Sequence, residues 1–308
     1  MIQSKKERIK RMKQLFSNAK KILVIVGIVL LCNGCKSDNM EDINIITTNY
    51  PNEYIVEKLY GEHSTITPVY PDGVDISSYE LTEKQEKDFA NSGLFVYTGL
   101  IDRERELAIT LLDYNENLKI IDSSYVLEND YDTEELWVDP SFMLMMSQNV
   151  RLGLEEYIEN TILEDEIEKN YENLQLELSE LDADIRLAIE NAPYKTIVAA
   201  DSSYLFLEKY GLKVYLLNDD TSQKDLSEIT NLIENGDITK IFTYKDTEVS
   251  SAVQNIINTY ADRVSYAYYN HLALLTEEQR QTNSDYITLM NQNLDTLNEE
   301  LYHGTETT

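Results

Sequence analysis

The sequence has very little histidine and almost no cysteine for a chain of 308 residues. The only two cysteines, Cys32 and Cys35, lie near the start of the chain. Residues 36–308 can therefore form no disulfide, no thiol-based metal site and no cysteine nucleophile. With 42% hydrophobic residues, the chain can instead build an ordinary buried core.

Basic residues are also scarce after the first segment. Residues 1–35 contain eight Lys or Arg and a single acid, Glu7, whereas the rest of the chain contains 18 basic and 55 acidic residues, a net charge of −37. A surface this acidic repels phosphate backbones, so we expect no binding to nucleic acid.

Catalytic motifs are missing as well. The chain contains no Gly-x-Ser-x-Gly, no phosphate-binding loop and no His-Glu-x-x-His. The adjacent pair Glu134 and Glu135 lies in an acidic loop, where a solvated surface is the ordinary explanation. We therefore expect a binding protein and not an enzyme.

Residues 1–35 have the pattern of a signal peptide. Basic residues end at Lys21, and the ten apolar residues Ile22–Leu31 are too few to span a bilayer as a helix. The small Gly34 before Cys35 resembles a bacterial lipobox, which predicts cleavage and lipid attachment at Cys35. A plain secretory signal and a short membrane anchor stay open, and each option places the body of the protein outside the cytoplasm.

The body of the chain alternates short apolar, β-branched runs with helical patterns, as α/β domains do. Four strands are predicted in a first series, at residues 43–48, 65–69, 94–97 and 118–121. Four more are predicted in a second series, at residues 196–200, 213–217, 240–243 and 264–269. We predict two similar lobes over residues 36–162 and 193–308, each a small, mainly parallel sheet with flanking helices.

Residues 163–192 are predicted to form one long helix that joins the lobes. The segment has no proline or glycine until its end and keeps an apolar stripe at near-helical spacing: Leu174, Leu176, Leu178, Leu181, Ile185 and Leu187. About 28 residues would extend roughly 42 Å as a helix. Clean heptads are absent, so the position between the lobes favours a rigid strut over a coiled coil.

Six short motifs, in order along the chain, resemble those of one protein family. They are Ile45–Pro51, Pro71–Asp75 with Tyr79–Glu80, Asn91–Leu100, Leu136–Pro140, Tyr210–Leu212 and Asp285–Leu294. Together they cover nearly all of the mature chain and look like the metal-binding class of ABC-transporter substrate-binding proteins, the zinc and manganese family. The resemblance implies two lobes on a helical backbone, with a metal ion held between them.

The resemblance also implies where the metal ligands should lie. Members of the family hold Zn²⁺ or Mn²⁺ with three histidines and one carboxylate, two ligands from each lobe. The histidine positions correspond here to Ser77, Glu135 and Ala200, and the carboxylate position corresponds to Asn270. None of the four is the residue that the family uses, so the resemblance implies a degenerate metal site.

Two neighbouring residues are candidate substitute ligands. Asp201 directly follows Ala200, and His271 directly follows Asn270. The other histidines, His63 and His303, are expected in an exposed turn and in a frayed C-terminal tail. The resemblance suggests zinc or manganese as the cation, whereas a ligand set rich in oxygen favours hard cations such as Ca²⁺, Mg²⁺ or Mn²⁺.

Two further possibilities for the cleft remain open. Tyr79, Tyr204 and Tyr269 lie close in sequence to the candidate ligands, so the cleft could accept an organic molecule instead of a cation. Alternatively, the cleft binds nothing, and the lobes serve to dock on a permease or on another surface protein.

The function implied by the resemblance is that of the extracytoplasmic solute-binding component of a metal-type ABC transporter. Its partners would be a permease in the cytoplasmic membrane and the ATPase that drives it. We expect a monomer held by its lipid anchor at the outer face of that membrane. The alternative is a surface lipoprotein that does not transport and uses the same scaffold for protein–protein or adhesive contacts.

Overall fold

The computed structural model describes residues 40–128, 134–245 and 247–304, so the leader and Cys35 lie outside the described residues. Its strands are β1 (Ile43–Thr47), β2 (Ser64–Pro68), β3 (Leu94–Tyr97), β4 (Lys119–Asp122), β5 (Thr196–Ala199), β6 (Lys213–Leu216), β7 (Lys240–Tyr244) and β8 (Ser265–Tyr269). They form two four-stranded sheets, in the orders β2-β1-β3-β4 and β6-β5-β7-β8. Every pair is parallel, which confirms the predicted fold class.

Helices connect and cover these strands. The α-helices are α1 (Tyr50–Tyr60), α2 (Glu83–Ala90), α3 (Asp102–Tyr114), α4 (Pro140–Tyr157), α5 (Thr161–Glu190), α6 (Gln223–Asn235), α7 (Ser251–Thr259), α8 (Glu277–Gln281) and α9 (Tyr286–Leu301). Three segments are 3-10 helices: Gly61–His63, Leu136–Val138 and Ser202–Tyr210. We call the part with β1 to β4 the N-terminal lobe and the part with β5 to β8, α8 and α9 the C-terminal lobe.

Each sheet is buried on both faces, as parallel sheets usually are. In β1, Ile45 belongs to a large central core, while its neighbour Ile46 points to the opposite face and packs under α2 and α3. In β5, Ile197 and Val198 divide in the same way between the central core and the cluster under α6 and α7. The alternation of side chains along a strand therefore produces two outer apolar clusters and one core shared by both lobes.

The long helix α5 runs from Thr161 to Glu190, and Asn160 caps its start by accepting a hydrogen bond from the backbone N–H of Ile162. Its 30 residues correspond to about 45 Å. One buried stripe faces the central core: Leu163, Ile167, Tyr171, Leu174, Leu178, Leu181, Ile185 and Ile189. The expectation that Leu176 and Leu187 belong to this stripe is wrong, because both are exposed. Within the described residues, no helix is long and apolar enough to cross a membrane.

The strand order places the functional region. In each sheet the two central strands are the first and the third of that lobe. The chain passes from the first strand to the edge strand on one side, and from the third strand to the edge strand on the other side. A crevice therefore opens at the carboxyl ends of the two central strands. In the N-terminal lobe these ends lead into Thr48 and Thr98, and in the C-terminal lobe they lead into Ala200 and Lys245. Ligands of open parallel sheets bind at such points, and the candidate residues identified from the sequence lie around them.

Candidate functional site

A contact between ionisable side chains joins the two lobes at the cleft. Nε2 of His271, just after β8, lies 2.8 Å from Oε1 of Glu135 in the N-terminal lobe. The backbone beside Glu135 is fixed, because the buried indole of Trp137 donates its N–H to the carbonyl oxygen of His271 at 3.1 Å. The ring of Tyr244 contacts His271 edge-on, with 4.6 Å between centroids. Of the six candidate ligands, only Glu135 and His271 meet.

The side chain of Ser77 bonds within its own loop. This residue is exposed, and its hydroxyl and its backbone N–H donate to Oδ1 of Asp75 at 2.7 and 2.9 Å. The loop turns at Gly73, whose φ of 72° suits a residue without a Cβ. No described contact connects Ser77 with Glu135 or His271.

Ala200 and Asp201 lie at the end of β5, on the C-terminal side of the cleft. The methyl group of Ala200 offers no ligand, and its backbone N–H donates to the carbonyl of Phe242 at 2.9 Å. Asp201 caps the following 3-10 helix, since its Oδ1 accepts the backbone N–H of Ser203 at 2.8 Å. The carboxylate is thus used to begin a helix, as Asp often is at this position.

Asn270 is held inside the C-terminal lobe. Its side-chain oxygen accepts a hydrogen bond from Gln279 at 2.9 Å, and its amide donates to Gln292 at 3.1 Å. Its backbone N–H donates to the side chain of Asn293 at 2.7 Å. Asn270 therefore ties β8 to α8 and α9, and its polar atoms are already satisfied.

Residues 45–300 match the protein-family model described as ZnuA, zinc-uptake complex component A, periplasmic. The chain belongs to this family. That description names an uptake component, in agreement with the expectation of a binding protein.

Curated relatives of this ZnuA-family chain are zinc proteins by name. The zinc-binding lipoprotein AdcA of Streptococcus pneumoniae (strain ATCC BAA-255 / R6) is 22% identical over 291 residues, which cover 85% of this chain and 57% of AdcA. The zinc-binding protein AdcA of Streptococcus pyogenes serotype M6 is 23% identical over 290 residues, which cover 83% of this chain and 55% of that protein. The chain thus spans little more than half the length of these relatives.

Solved structures confirm the fold of the ZnuA-family chain. The Zn(II)-bound ZnuA-like domain of Streptococcus pneumoniae AdcA superimposes with a TM-score of 0.67 at 23% identity, covering 84% of this chain and 99% of that domain. The metal-dependent lipoprotein YcdH of Bacillus subtilis gives a TM-score of 0.67 at 18% identity, with 84% and 99% covered.

The residues at this ZnuA-family cleft do not fit a closed zinc site. Structural zinc sites use four protein ligands, and catalytic ones keep at least three. Here one carboxylate and one imidazole meet, and within the described ranges 40–128, 134–245 and 247–304 no three His, Cys, Asp or Glu residues are grouped to hold a metal. Among the described residues, the donors that meet match a two-ligand site.

Aromatic rings occupy the C-terminal side of the cleft. Tyr204 lies 5.5 Å from Tyr244 and 4.9 Å from Tyr269 between centroids, and all three are buried. Burial raises the pKa of Tyr204 and Tyr244 well above the usual range, and the charges of Glu135 and Asp201 add to the increase. These phenols therefore stay protonated at neutral pH and offer no anionic ligand.

The three tyrosines considered for an organic ligand do not form one surface. Tyr204 and Tyr269 pack in the central core, whereas Tyr79 packs against Tyr70 in the outer cluster of the N-terminal lobe, with 5.7 Å between centroids. Sequence reasoning missed Tyr244, which touches His271. The available signal was its place at the carboxyl end of β7, next to the switch point of the sheet.

Proposed function

We propose that the protein is the extracytoplasmic solute-binding component of an ABC transporter of the metal-uptake type. Membership of the ZnuA family and the two-lobed fold support this proposal. The solute would be captured between the lobes and passed to a permease in the cytoplasmic membrane, with an ATPase supplying the energy. The protein would act as a monomer.

The observation that carries the proposal about the cargo is the pair of Glu135 and His271 facing each other across the cleft. A carboxylate and an imidazole are both acceptable ligands for a divalent cation. Since only these two meet, we propose that the cleft binds divalent cations weakly through them. In this proposal Ser77, Ala200, Asp201 and Asn270 take no direct part, because each is turned away, apolar or already hydrogen-bonded.

The expected loss of affinity can be bounded. Removing even an outer-shell partner of a metal ligand lowers metal affinity by about 10- to 100-fold. A cleft without two of the four direct ligands should therefore bind Zn²⁺ at least about 100-fold more weakly than a complete site. Complete structural zinc sites release about 10–16 kcal/mol on binding; if the four ligands share this equally, the remaining two leave about 5–8 kcal/mol, which corresponds to a Kd above roughly 1 μM.

Titration calorimetry of the chain from Lys36 onward with Zn²⁺ and Mn²⁺ tests this. We expect weak binding that His271→Ala abolishes and that His303→Ala, which changes a histidine far from Glu135, leaves unchanged. Submicromolar zinc binding by the unchanged chain would contradict the two-ligand assignment. No heat with any divalent cation would contradict a cation as the cargo.

The lipid anchor at Cys35 is a separate proposal with its own test. The proposed lipid would be attached to the thiol of Cys35, which directly follows the small Gly34. Replacing Cys35 with alanine removes this thiol, so lipid attachment and retention at the membrane should be lost. We expect the Cys35→Ala protein in the culture medium and the Cys32→Ala control at the membrane, measured by fractionation and immunoblotting. Retention of Cys35→Ala at the membrane would show that the leader acts as an uncleaved anchor.

A further inference from the structure

A short segment of the C-terminal lobe reaches across and holds the N-terminal lobe. We call residues 272–280, between β8 and the end of α8, the clasp. Its carbonyl groups accept two backbone hydrogen bonds from the N-terminal lobe: Tyr50 N–H donates to Ala273 at 2.8 Å, and Gly73 N–H donates to Leu275 at 2.9 Å. The first donor begins α1, and the second lies in the loop that carries Ser77.

Arg280, at the end of the clasp, binds two carboxylates of the N-terminal lobe. Its Nε and one terminal nitrogen donate to Asp72, each at 2.9 Å. Its terminal nitrogens donate to the two oxygens of Glu53 at 2.6 and 3.0 Å. A planar guanidinium suits this double fork, and these charged hydrogen bonds raise the pKa of Arg280 further above its usual range.

The contact differs from an ordinary surface ion pair, which contributes little to stability. The Glu53 side chain is only 11% exposed, and Asp72 is 23% exposed. Four hydrogen bonds fix the geometry, and the ring of Tyr50 lies 5.9 Å from the guanidinium carbon. The two carboxylates are thus matched to one cation from the opposite lobe, 208 and 227 residues away along the chain.

The backbone of the clasp is itself fixed. Leu272 has a φ of 64°, and its side chain is 2% exposed. Left-handed backbone at a residue other than glycine is strained and persists where surrounding contacts enforce it. A capping box between Thr276 and Gln279 starts α8, so Arg280 is presented on a rigid turn.

The surface beneath the clasp is also continuous. Ile45 of β1, Leu174 of α5 and Ile197 of β5 belong to one buried apolar core. Lobes move relative to one another by default unless their interface is large and hydrophobic. The clasp joins an interface of that second kind, since its own Leu272, Ala273 and Leu275 belong to the same core.

We propose that the clasp, through Arg280, latches the two lobes to each other independently of any cargo. The chain itself then supplies the contacts across the cleft that a bound ligand would otherwise have to supply. Release of Arg280 from Asp72 and Glu53 is the step that frees the loop containing Gly73. This inference is independent of whether the cleft binds a cation.

Hydrogen–deuterium exchange of the full chain in detergent and EDTA tests the latch. The amides of Tyr50 and Gly73 report on it directly, because each donates to the clasp. We expect both to be protected without any divalent cation and to exchange about tenfold or more faster in Arg280→Ala, as loss of charged hydrogen bonds implies. Rapid exchange of both in the unchanged chain, or unchanged protection in Arg280→Ala, would refute the latch.

Matched controls separate the latch from general destabilisation. Arg105→Ala removes an exposed arginine whose ion pair with Asp102 stays within α3, so the two reporter amides should keep their protection. The amide of Gly93, which donates to Asn44 inside the N-terminal lobe at 2.9 Å, should stay protected in Arg280→Ala. If Arg280→Ala does not fold, Arg280→Lys is the second variant, because it keeps the positive charge and loses the forked hydrogen bonds of the guanidinium. Exchange at the Tyr50 and Gly73 amides should still be faster in Arg280→Lys. Unchanged protection of these two amides would refute the latch.

Discussion

Replacing Glu104 with alanine is expected to lower the free energy of unfolding by about 3–5 kcal/mol, because it leaves several buried hydrogen-bond donors without their acceptor. The carboxylate is 1% exposed and accepts hydrogen bonds from the Thr48 hydroxyl, the Asn49 amide at 3.0 Å and the Thr98 backbone N–H at 2.7 Å. Without it, these buried donors lose their acceptor, and each unsatisfied group costs about 1–3 kcal/mol.

Urea unfolding followed by circular dichroism measures this loss as a shift of the midpoint at constant slope. Glu106→Ala is the matched control, since Glu106 lies on the same helix and is exposed. A Glu104→Ala variant within about 0.5 kcal/mol of that control, the usual range of a surface change, would mean that the network contributes little.

The same residue gives a signed pH dependence. Burial raises the pKa of Glu104, and its hydrogen bonds only partly offset the increase. An acid whose pKa is higher in the folded state than in the unfolded state stabilises the fold while it is protonated. This contribution is lost as the pH rises from about 4, the unfolded pKa, through the higher folded pKa. The advantage of the unchanged protein over Glu104→Gln, which does not titrate, should therefore shrink as pH rises over that interval.

Replacing Trp137 with alanine should cost about 3–5 kcal/mol of unfolding free energy, the usual range for a large buried aromatic residue. The ring is 1% exposed, and its N–H bonds to the carbonyl of His271 in the other lobe. The change therefore removes core volume and, at the same time, a support of the Glu135–His271 contact.

Trp137→Phe is the matched comparison, because it keeps most of the apolar volume and loses the interlobe hydrogen bond. Its cost should be about 0.5–1.5 kcal/mol, that of one hydrogen bond lost at a part-buried carbonyl. Trp137 is the only tryptophan, so unfolding must be followed by circular dichroism instead of indole fluorescence. Equal costs for the two variants would show that the ring volume contributes little.

Local patterns predicted most of the fold. The β-branched runs gave the eight strands, and the absence of proline and glycine gave the long helix. The start of α2 at Glu83 follows from the cap that Thr82 forms with Gln85. Asp201 caps the 3-10 helix Ser202–Tyr210 through the backbone N–H of Ser203.

The long-range contacts could not be predicted in this way. Arg280 and Glu53 are 227 residues apart, and no local periodicity relates them. His303, expected in a frayed tail, stacks on Tyr194 with 3.9 Å between centroids, a contact that depends on how the last helix docks. His63, expected in an exposed turn, is half-buried and 3.1 Å from Glu166 of α5. The positions of candidate ligands followed from the resemblance, but their contacts depend on tertiary structure.

The shared core determines how a destabilising substitution in one lobe affects the other lobe. Both sheets and α5 contribute to one apolar interior, while the outer clusters under α2 and α3 and under α6 and α7 are smaller. Neither lobe can lose its inner layer without exposing apolar surface of the other, so the two lobes form one cooperative unit. A destabilising change in one lobe is therefore shared by the whole body, and local opening should be confined to the outer helices.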